Sequence, residues 1–173
     1  MQNPGSIFAK RMIWFMEKGL IEKLSGKRGT YVLEIKLDKR TALSVGKLSK
    51  EPIDFRRGYY YYCGSALGKN GLYNRVRRHF SKEKKIRWHI DYLLEKGKIT
   101  DVIFDAEPVR KECLYAQEFV AKGFIPVKGF GASDCKCVSH LFFSKDIRQE
   151  NRGRKTESDS VGGRRIIKKW NGH

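Results

Sequence analysis

The stretch from residue 58 to residue 80, GYYYYCGSALGKNGLYNRVRRHF, constrains the fold more than any other part of the chain. Its four consecutive tyrosines favour an extended strand, because aromatic side chains pack well on a pleated sheet. The small residues that follow, GSALG, predict a loop that a ligand can approach closely. The segment LYNRVRRHF then has apolar residues at every fourth position, which predicts a short amphipathic helix.

Two polar residues of this helix, Arg75 and His79, are four positions apart and therefore lie on one face. The tyrosine strand, the glycine-rich turn and this helix face converge on one place. We interpret that place as a phosphate-binding site, because a guanidinium can hold two phosphate oxygens in a fork. The alternative for Arg75 and His79 taken alone is a solvated helix face.

The charge of the chain points to a polyanionic partner. Lys and Arg number 37 against 19 Asp and Glu, a net charge of +18, of which 1–28 carry +4, 29–144 carry +9 and 145–173 carry +5. An excess of this size favours nucleic acid or an anionic membrane face. The predicted nucleic-acid-binding residues are Arg77, Arg78, Lys82, Lys84, Lys85 and Arg87.

The two ends of the chain differ from its middle. Residues 1–28 form a predicted helical extension with an amphipathic helix at 7–24, for which packing on the domain is favoured over lying on a membrane. Residues 145–173 lack periodicity and predict a basic, flexible and disordered tail. No apolar run approaches the roughly 20 residues that cross a bilayer, no signal peptide is evident, and four cysteines make no secreted disulfide scaffold. We therefore expect a cytoplasmic protein.

The middle region, 29–144, predicts an α+β domain whose small, mostly antiparallel sheet is flanked by helices. Three strands precede the first helix and are expected to form an antiparallel meander. The predicted elements are strands at 29–37, 41–48 and 58–63, helices at 72–80 and 85–97, a strand at 99–104, a helix at 108–122 and a last strand within 129–145.

Five features recur in an order that resembles the GIY-YIG nuclease superfamily over residues 29–144. They are Gly29-Thr30-Tyr31, Tyr62-Cys63-Gly64, Arg75 with His79, Glu112, and the terminal segment GFGASDCKCVSHLF. The closest likeness is to a divergent branch that ends in such a segment and occurs alone or joined to endonuclease III-type repair proteins. The chain departs from the superfamily at Thr30 and Cys63, which replace isoleucines, and in a longer insertion at 32–61. The asparagine often found late in active members is not evident.

The resemblance implies an endonuclease that hydrolyses DNA with one Mg²⁺ or Mn²⁺ ion in repair or recombination. DNA is favoured over RNA, and a repair protein is a candidate partner. Tyr31 and Tyr62 would orient or deprotonate water, Arg75 would bind phosphate, and Glu112 would hold the metal, with Glu118 as its competitor. The cations expected to lower the tyrosine pKa are Arg75, His79 and Lys69, and the candidate proton shuttles are His79 and His89.

Several alternatives remain open from the residues. Tyr31 and Tyr62 could be sheet core. Cys135 and Cys137, two apart on a predicted strand, share one face with His140 nearby, and Cys113 could complete a zinc site. Buried cysteines are favoured over zinc, because this spacing is not the usual one. Asp134 and His140 could instead line the active cleft. The alternative functions are a non-catalytic nucleic-acid-binding module and a zinc-stabilised adaptor.

Overall fold

The first predicted strand lies at the centre of the sheet. In the computed structural model, β1 (Gly29–Leu37) pairs antiparallel with β4 (Gly58–Ala66) on one side and with β5 (Lys98–Asp105) on the other. The structure describes residues 18–19 and 21–145, together with the backbone of 167–169. The remaining elements are β2 (Thr41–Leu43), β3 (Ile53–Phe55), α1 (Gly71–Phe80), α2 (His89–Leu94), α3 (Glu112–Ala121), β6 (Ile125–Pro126), β7 (Leu141–Ser144) and β8 (Ile167–Lys169).

The main sheet has the strand order β6-β7-β4-β1-β5-β8. Each of its first five strands is antiparallel to its neighbours among them, and β8 pairs with β5 in parallel. This is the α+β class that the sequence predicted, with a mostly antiparallel sheet flanked by helices. The tyrosine strand extends through GSA to residue 66, so the predicted loop begins later than expected.

The sheet buries side chains on both faces because successive residues of a strand alternate between them. On one face, Tyr31 and Tyr60 pack in a core with Leu72 and Val76 of α1. On the other face, residues of β1 and β4 pack against α3, in the core of Val32, Tyr61, Cys63, Ile103, Tyr115, Ala116, Phe119, Phe124 and Phe142. The run of four tyrosines is thus divided between two cores, and Tyr62 lies on the α1 face.

The predicted three-strand meander is wrong. The segment 41–48 is a strand only over β2, and β3 lies in the stretch predicted to be a connection. These two form a separate two-stranded sheet, and β4 pairs directly with β1. All nine residues of β1 pair with β4, whereas β2 offers three, so the long strands make the larger set of backbone hydrogen bonds.

Helices α2 and α3 are shorter than predicted, whereas α1 begins one residue earlier than expected. Helix α2 starts four residues late because the Asp91 carboxylate accepts hydrogen bonds from the backbone N–H groups of Arg87 and Trp88, which caps the helix there. Ile86 therefore lies before the helix and is exposed. Helix α3 begins at Glu112 rather than at Pro108. The segment holding Cys135 and Cys137 is a loop and not the predicted strand.

Both ends of the chain fall largely outside the described residues. Of the predicted helix at 7–24, residues 21–24 are helical, and Leu24 is fully buried in the α1-side core. The predicted flexible tail is described only at Lys145 and at β8, where its backbone forms a strand. Among the described residues, no helix is long and apolar enough to span a membrane.

Candidate active site

A polar cleft of about 180 Å³ opens where β1 begins and β4 ends. It brings together four side chains that the sequence assigned to catalysis, namely Tyr31, Tyr62, Arg75 and Glu112. Two accessory candidates, Asp134 and His140, also line it. The lining is completed by residues the sequence did not single out as site residues, which are Cys63, Gly64, Ser65, Trp88, Arg110 and Gly131.

The glycines of the two tripeptides make room for their neighbours. Gly64 lies directly opposite Tyr31 in the β1–β4 pairing. A Cβ atom on Gly64 would lie 2.6 Å from the Tyr31 phenol oxygen, closer than such atoms can pack. A Cβ atom on Gly29 would collide with the backbone carbonyl oxygen of Asp105 on β5. The close approach of three strands thus explains why these tripeptides contain glycine.

The Tyr31 phenol oxygen lies 2.7 Å from Nε2 of His79, which α1 places behind the tyrosine and out of the cleft lining. Burial, followed by the nearby charge of Lys84, lowers the pKa of His79 to about 3. His79 is therefore neutral at neutral pH, and the expectation that it supplies a positive charge to the tyrosines is wrong. The sequence missed this because helical spacing does not show which helix face the sheet covers.

Both cleft tyrosines are protonated at neutral pH. Burial and then the neighbouring Tyr62 raise the pKa of Tyr31 well above its ordinary value of 10, although Arg75 acts in the opposite direction. Burial likewise raises the pKa of Tyr62. The arrangement therefore favours phenols that hold and orient a water molecule over phenolates that remove its proton.

The cleft contains two guanidinium groups. Arg75 lies over the Trp88 ring, with 4.2 Å between the guanidinium carbon and the ring centroid, which fixes its orientation by a cation–π contact. Arg110 is the second, and it contacts Oε1 of Glu112 at 3.2 Å and Oδ2 of Asp134 at 3.5 Å. Two guanidiniums at one polar cleft form a suitable site for phosphate oxygens.

Glu112 is the buried acid of the cleft, with 6% of its surface exposed. Its Oε1 accepts a hydrogen bond of 3.2 Å from the Ser65 hydroxyl, whereas its buried Oε2 has no partner among the described atoms. Lys111, the residue before Glu112, is positioned by Thr30, because the Thr30 hydroxyl accepts a hydrogen bond of 3.1 Å from the Lys111 backbone N–H. An unpaired buried carboxylate oxygen fits a hard cation or an ordered water.

Glu118, the competing acid of the same helix, does not line the cleft. It lies half-buried, and its carboxylate oxygen is 3.9 Å from Nζ of Lys122. The structure therefore places Glu112, and not Glu118, with the tyrosines and Arg75.

Two accessory candidates lie outside the cleft lining. Lys69 is exposed and is not among the residues that line the cleft. Nδ1 of His89 accepts a hydrogen bond of 3.2 Å from the Gly131 backbone N–H, which holds the turn that enters the cleft. Burial lowers the pKa of His89. Neither Lys69 nor His89 is therefore placed to supply charge or protons directly to the cleft.

The predicted basic surface divides into partly buried and exposed members. Arg78 forms a two-point contact with the fully buried Asp91 at 3.0 and 2.9 Å. Lys84 donates to the backbone carbonyl of His79 at 2.8 Å. These two cations stabilise the fold around α1, which the sequence could not distinguish from surface binding. The exposed members are Arg77, Lys82, Lys85 and Arg87.

A cluster of three thiols and one imidazole lies beside the cleft. The ligand atoms of Cys113, Cys135, Cys137 and His140 are all within 4.8 Å of one another. Nε2 of His140 lies 3.7 Å from Sγ of Cys113 and 3.4 Å from Sγ of Cys135. All three cysteines are free thiols. The loop that holds Cys135 and Cys137 forms no regular strand, yet it meets Cys113 of α3. The four residues that the sequence considered as a zinc set thus lie together.

The fold and site define an α+β domain with a polar cleft that combines two arginines, two tyrosines and a buried glutamate. The chain belongs to the family described as domain of unknown function DUF123, whose family model matches residues 30–161. Every residue of the cleft and of the thiol cluster lies within this match. No curated protein and no solved structure matched the chain in similarity searches.

Proposed function

We propose that this protein is a divalent-metal-dependent endonuclease that hydrolyses phosphodiester bonds in DNA, with a role in repair or recombination. The observation that carries the proposal is the buried carboxylate of Glu112, whose Oε2 lacks a partner beside a cleft that also holds Arg75 and two tyrosines. A module that only binds a polyanion gains nothing from a buried acid in its binding cleft, whereas metal-dependent phosphodiester hydrolysis uses such an acid as a metal ligand.

The donor set fits Mg²⁺ or Mn²⁺. Mg²⁺ takes oxygen ligands and is commonly held by one or two carboxylates while it keeps several waters. Glu112 would hold the ion through Oε2, and Asp134 lies on the same cleft. Such an ion, when bound, neutralises charge on a phosphate and lowers the pKa of a bound water.

The arginines bind and orient the phosphate. The planar guanidinium of Arg75 can form two parallel hydrogen bonds to phosphate oxygens. The Trp88 ring restricts its side chain, which reduces the entropy lost when the phosphate binds. Arg110 is more exposed and already contacts Glu112 and Asp134, so it reaches the phosphate from the solvent side of the cleft.

The tyrosines orient the attacking water. Tyr31 shares a hydrogen bond of 2.7 Å with Nε2 of the neutral His79. In the tautomer whose Nε2 accepts, Tyr31 donates its phenol proton, and its oxygen lone pairs are free to accept a hydrogen bond from water in the cleft. Tyr62, also protonated, lies on the same face of the sheet. His79 is in this view a positioning residue, because it acts on the water only through Tyr31.

The test is cleavage of plasmid and branched DNA with Mg²⁺ or Mn²⁺. We expect metal-dependent cutting that falls by about 100-fold or more in Glu112→Gln and in Arg75→Ala. Binding of DNA should persist in Glu112→Gln. The matched control is Glu118→Gln, the same chemical change on the same helix outside the cleft, which should cut like the native chain.

A second candidate function, a non-catalytic nucleic-acid-binding module, is favoured by the exposed basic residues that follow α1. Tight binding without cutting, under every metal and substrate tried, would replace the endonuclease by this module. Cutting that Glu112→Gln leaves intact would remove Glu112 from the mechanism.

A further inference from the structure

Four side chains of metal-binding type, Cys113, Cys135, Cys137 and His140, lie together beside the cleft, and the last of them also lines it. We propose that these four side chains bind one Zn²⁺ ion, and that this ion fixes the loop 131–140 to the first turn of α3. The site uses different residues and a different metal from the proposed hydrolytic centre, and it does not depend on the endonuclease proposal.

The distances between Nε2 of His140 and two of the thiol sulfurs match those of a tetrahedral zinc site. Zinc lies about 2.3 Å from thiolate sulfur and about 2.1 Å from imidazole nitrogen, so tetrahedral geometry places those two atoms about 3.6 Å apart. The Sγ to Nε2 distances here are 3.7 Å for Cys113 and 3.4 Å for Cys135. Because all four ligand atoms also lie within 4.8 Å of one another, they can approach a single zinc ion.

The ligand chemistry selects zinc over the hard cation proposed for Glu112. Three thiols and one imidazole are soft ligands, whereas Mg²⁺ requires oxygen. Four protein ligands close the coordination shell, which is typical of structural rather than catalytic zinc.

The topology explains why the spacing in the sequence is unusual. Cys135 and Cys137 are separated by one residue, fewer than in common zinc motifs. The fourth ligand comes from the second residue of α3, Cys113, next to Glu112. The loop held by this ion carries Asp134 and His140 into the cleft lining. Zinc would thus shape the cleft from one side, and His140 would serve as its ligand rather than as a proton carrier.

The first experiment measures the zinc content of the purified full-length chain and the absorption spectrum after exchange with Co²⁺. We expect about one zinc per chain, and intense visible bands with sulfur-to-cobalt charge transfer, as tetrahedral thiolate sites give. Cys135→Ser and Cys113→Ser should lose the metal on dialysis against a chelator. The matched control is Cys63→Ala, which changes the fourth cysteine, buried in β4 outside the cluster.

The proposal is overturned if the native protein, with its thiols kept reduced, contains no zinc and gives no tetrahedral cobalt spectrum. An iron chromophore or a disulfide within the cluster would overturn it equally. Metal lost in Glu112→Gln but kept in Cys135→Ser would place the ion in the cleft instead. Because the native chain answers the first question, a Cys135→Ser variant that does not fold leaves the result decisive.

Discussion

Tyr31 on β1 and Gly64 on β4 face each other across the sheet, and the tyrosine ring occupies the space that any side chain on Gly64 would need. The position of the Tyr31 phenol in the cleft therefore depends on the absence of a side chain on the neighbouring strand. The same ring reaches His79 at its hydroxyl end, so a displacement would also break that hydrogen bond.

We predict that Gly64→Ala lowers both stability and activity. The added methyl overpacks the core against Tyr31, at a cost of about 1–3 kcal/mol in the free energy of unfolding. Urea denaturation and the cleavage assay measure the two effects. Gly68→Ala is the control, because a Cβ atom there meets no atom within 4 Å. Equal stabilities of the two variants would show that Tyr31 moves aside without cost.

The buried His79 predicts a stability that falls in mild acid. Its pKa is about 3 in the folded chain, whereas an unfolded histidine titrates near 6.5. Between these values the unfolded state binds a proton that the folded state does not, so the free energy of unfolding decreases as the pH falls, by up to about 1.4 kcal/mol per pH unit. Urea denaturation between about pH 7 and about pH 5 measures the slope.

The control for this slope is His79→Gln, which keeps a hydrogen-bond acceptor near Tyr31 but cannot titrate. Its stability should vary less with pH than that of the native chain over the same interval. His89 and His140 remain in both proteins, so their contributions cancel in the comparison. Identical slopes would mean that His79 titrates in the folded chain much as it does in the unfolded one.

The pair of Arg78 and Asp91 predicts a structural role for a residue of the basic segment. Asp91→Asn should lower the free energy of unfolding by about 3 kcal/mol, because it removes one partner of a buried ion pair and weakens the cap of α2. Asp54→Asn is the control, since Arg40 also binds Asp54 through two hydrogen bonds, but at the surface, where the pair should matter little. Comparable losses in thermal denaturation would contradict the difference in burial.

The exposed cations after α1 predict a salt-dependent affinity for DNA. Replacing Lys82, Lys85 and Arg87 by glutamine in one triple variant should leave the fold unchanged. It should reduce the slope of log K for DNA binding against log salt concentration by about 2–3. The control is the triple change of Lys39, Lys96 and Lys98, which are exposed near the opposite end of β1. Fluorescence anisotropy at several salt concentrations measures both slopes, and equal slopes would exclude a localised interface.

The pattern of residues along the chain was sufficient for the elements with strong local signals. The bounds of β1 follow from the alternation of its apolar residues, because a strand with one apolar face can pair only in a register that buries that face. The helical spacing of α1 likewise predicted its burial of Leu72 and Val76. The short strands β3 and β6, by contrast, carry too few residues for a periodic signal.

Identification of the site required both the sequence and the tertiary structure. The family resemblance of the sequence implied that Tyr31, Tyr62, Arg75 and Glu112 act together, and the cleft contains all four. Arg110, Ser65 and Trp88 could not be found in this way, because an isolated side chain has no spacing that marks it. The neutral state of His79 depends on the sheet that buries it, which no helical pattern specifies.

The thiol cluster shows the same division most clearly. The residue types of Cys113, Cys135, Cys137 and His140 are a property of the sequence, and they suffice to suggest a metal. Whether four such groups meet is a matter of long-range packing, since Cys113 of α3 and Cys135 of the loop, more than twenty residues apart in sequence, must approach within bonding distance of one ion. Local propensity acts over a few residues, whereas burial and metal coordination act between segments that only the folded chain brings into contact.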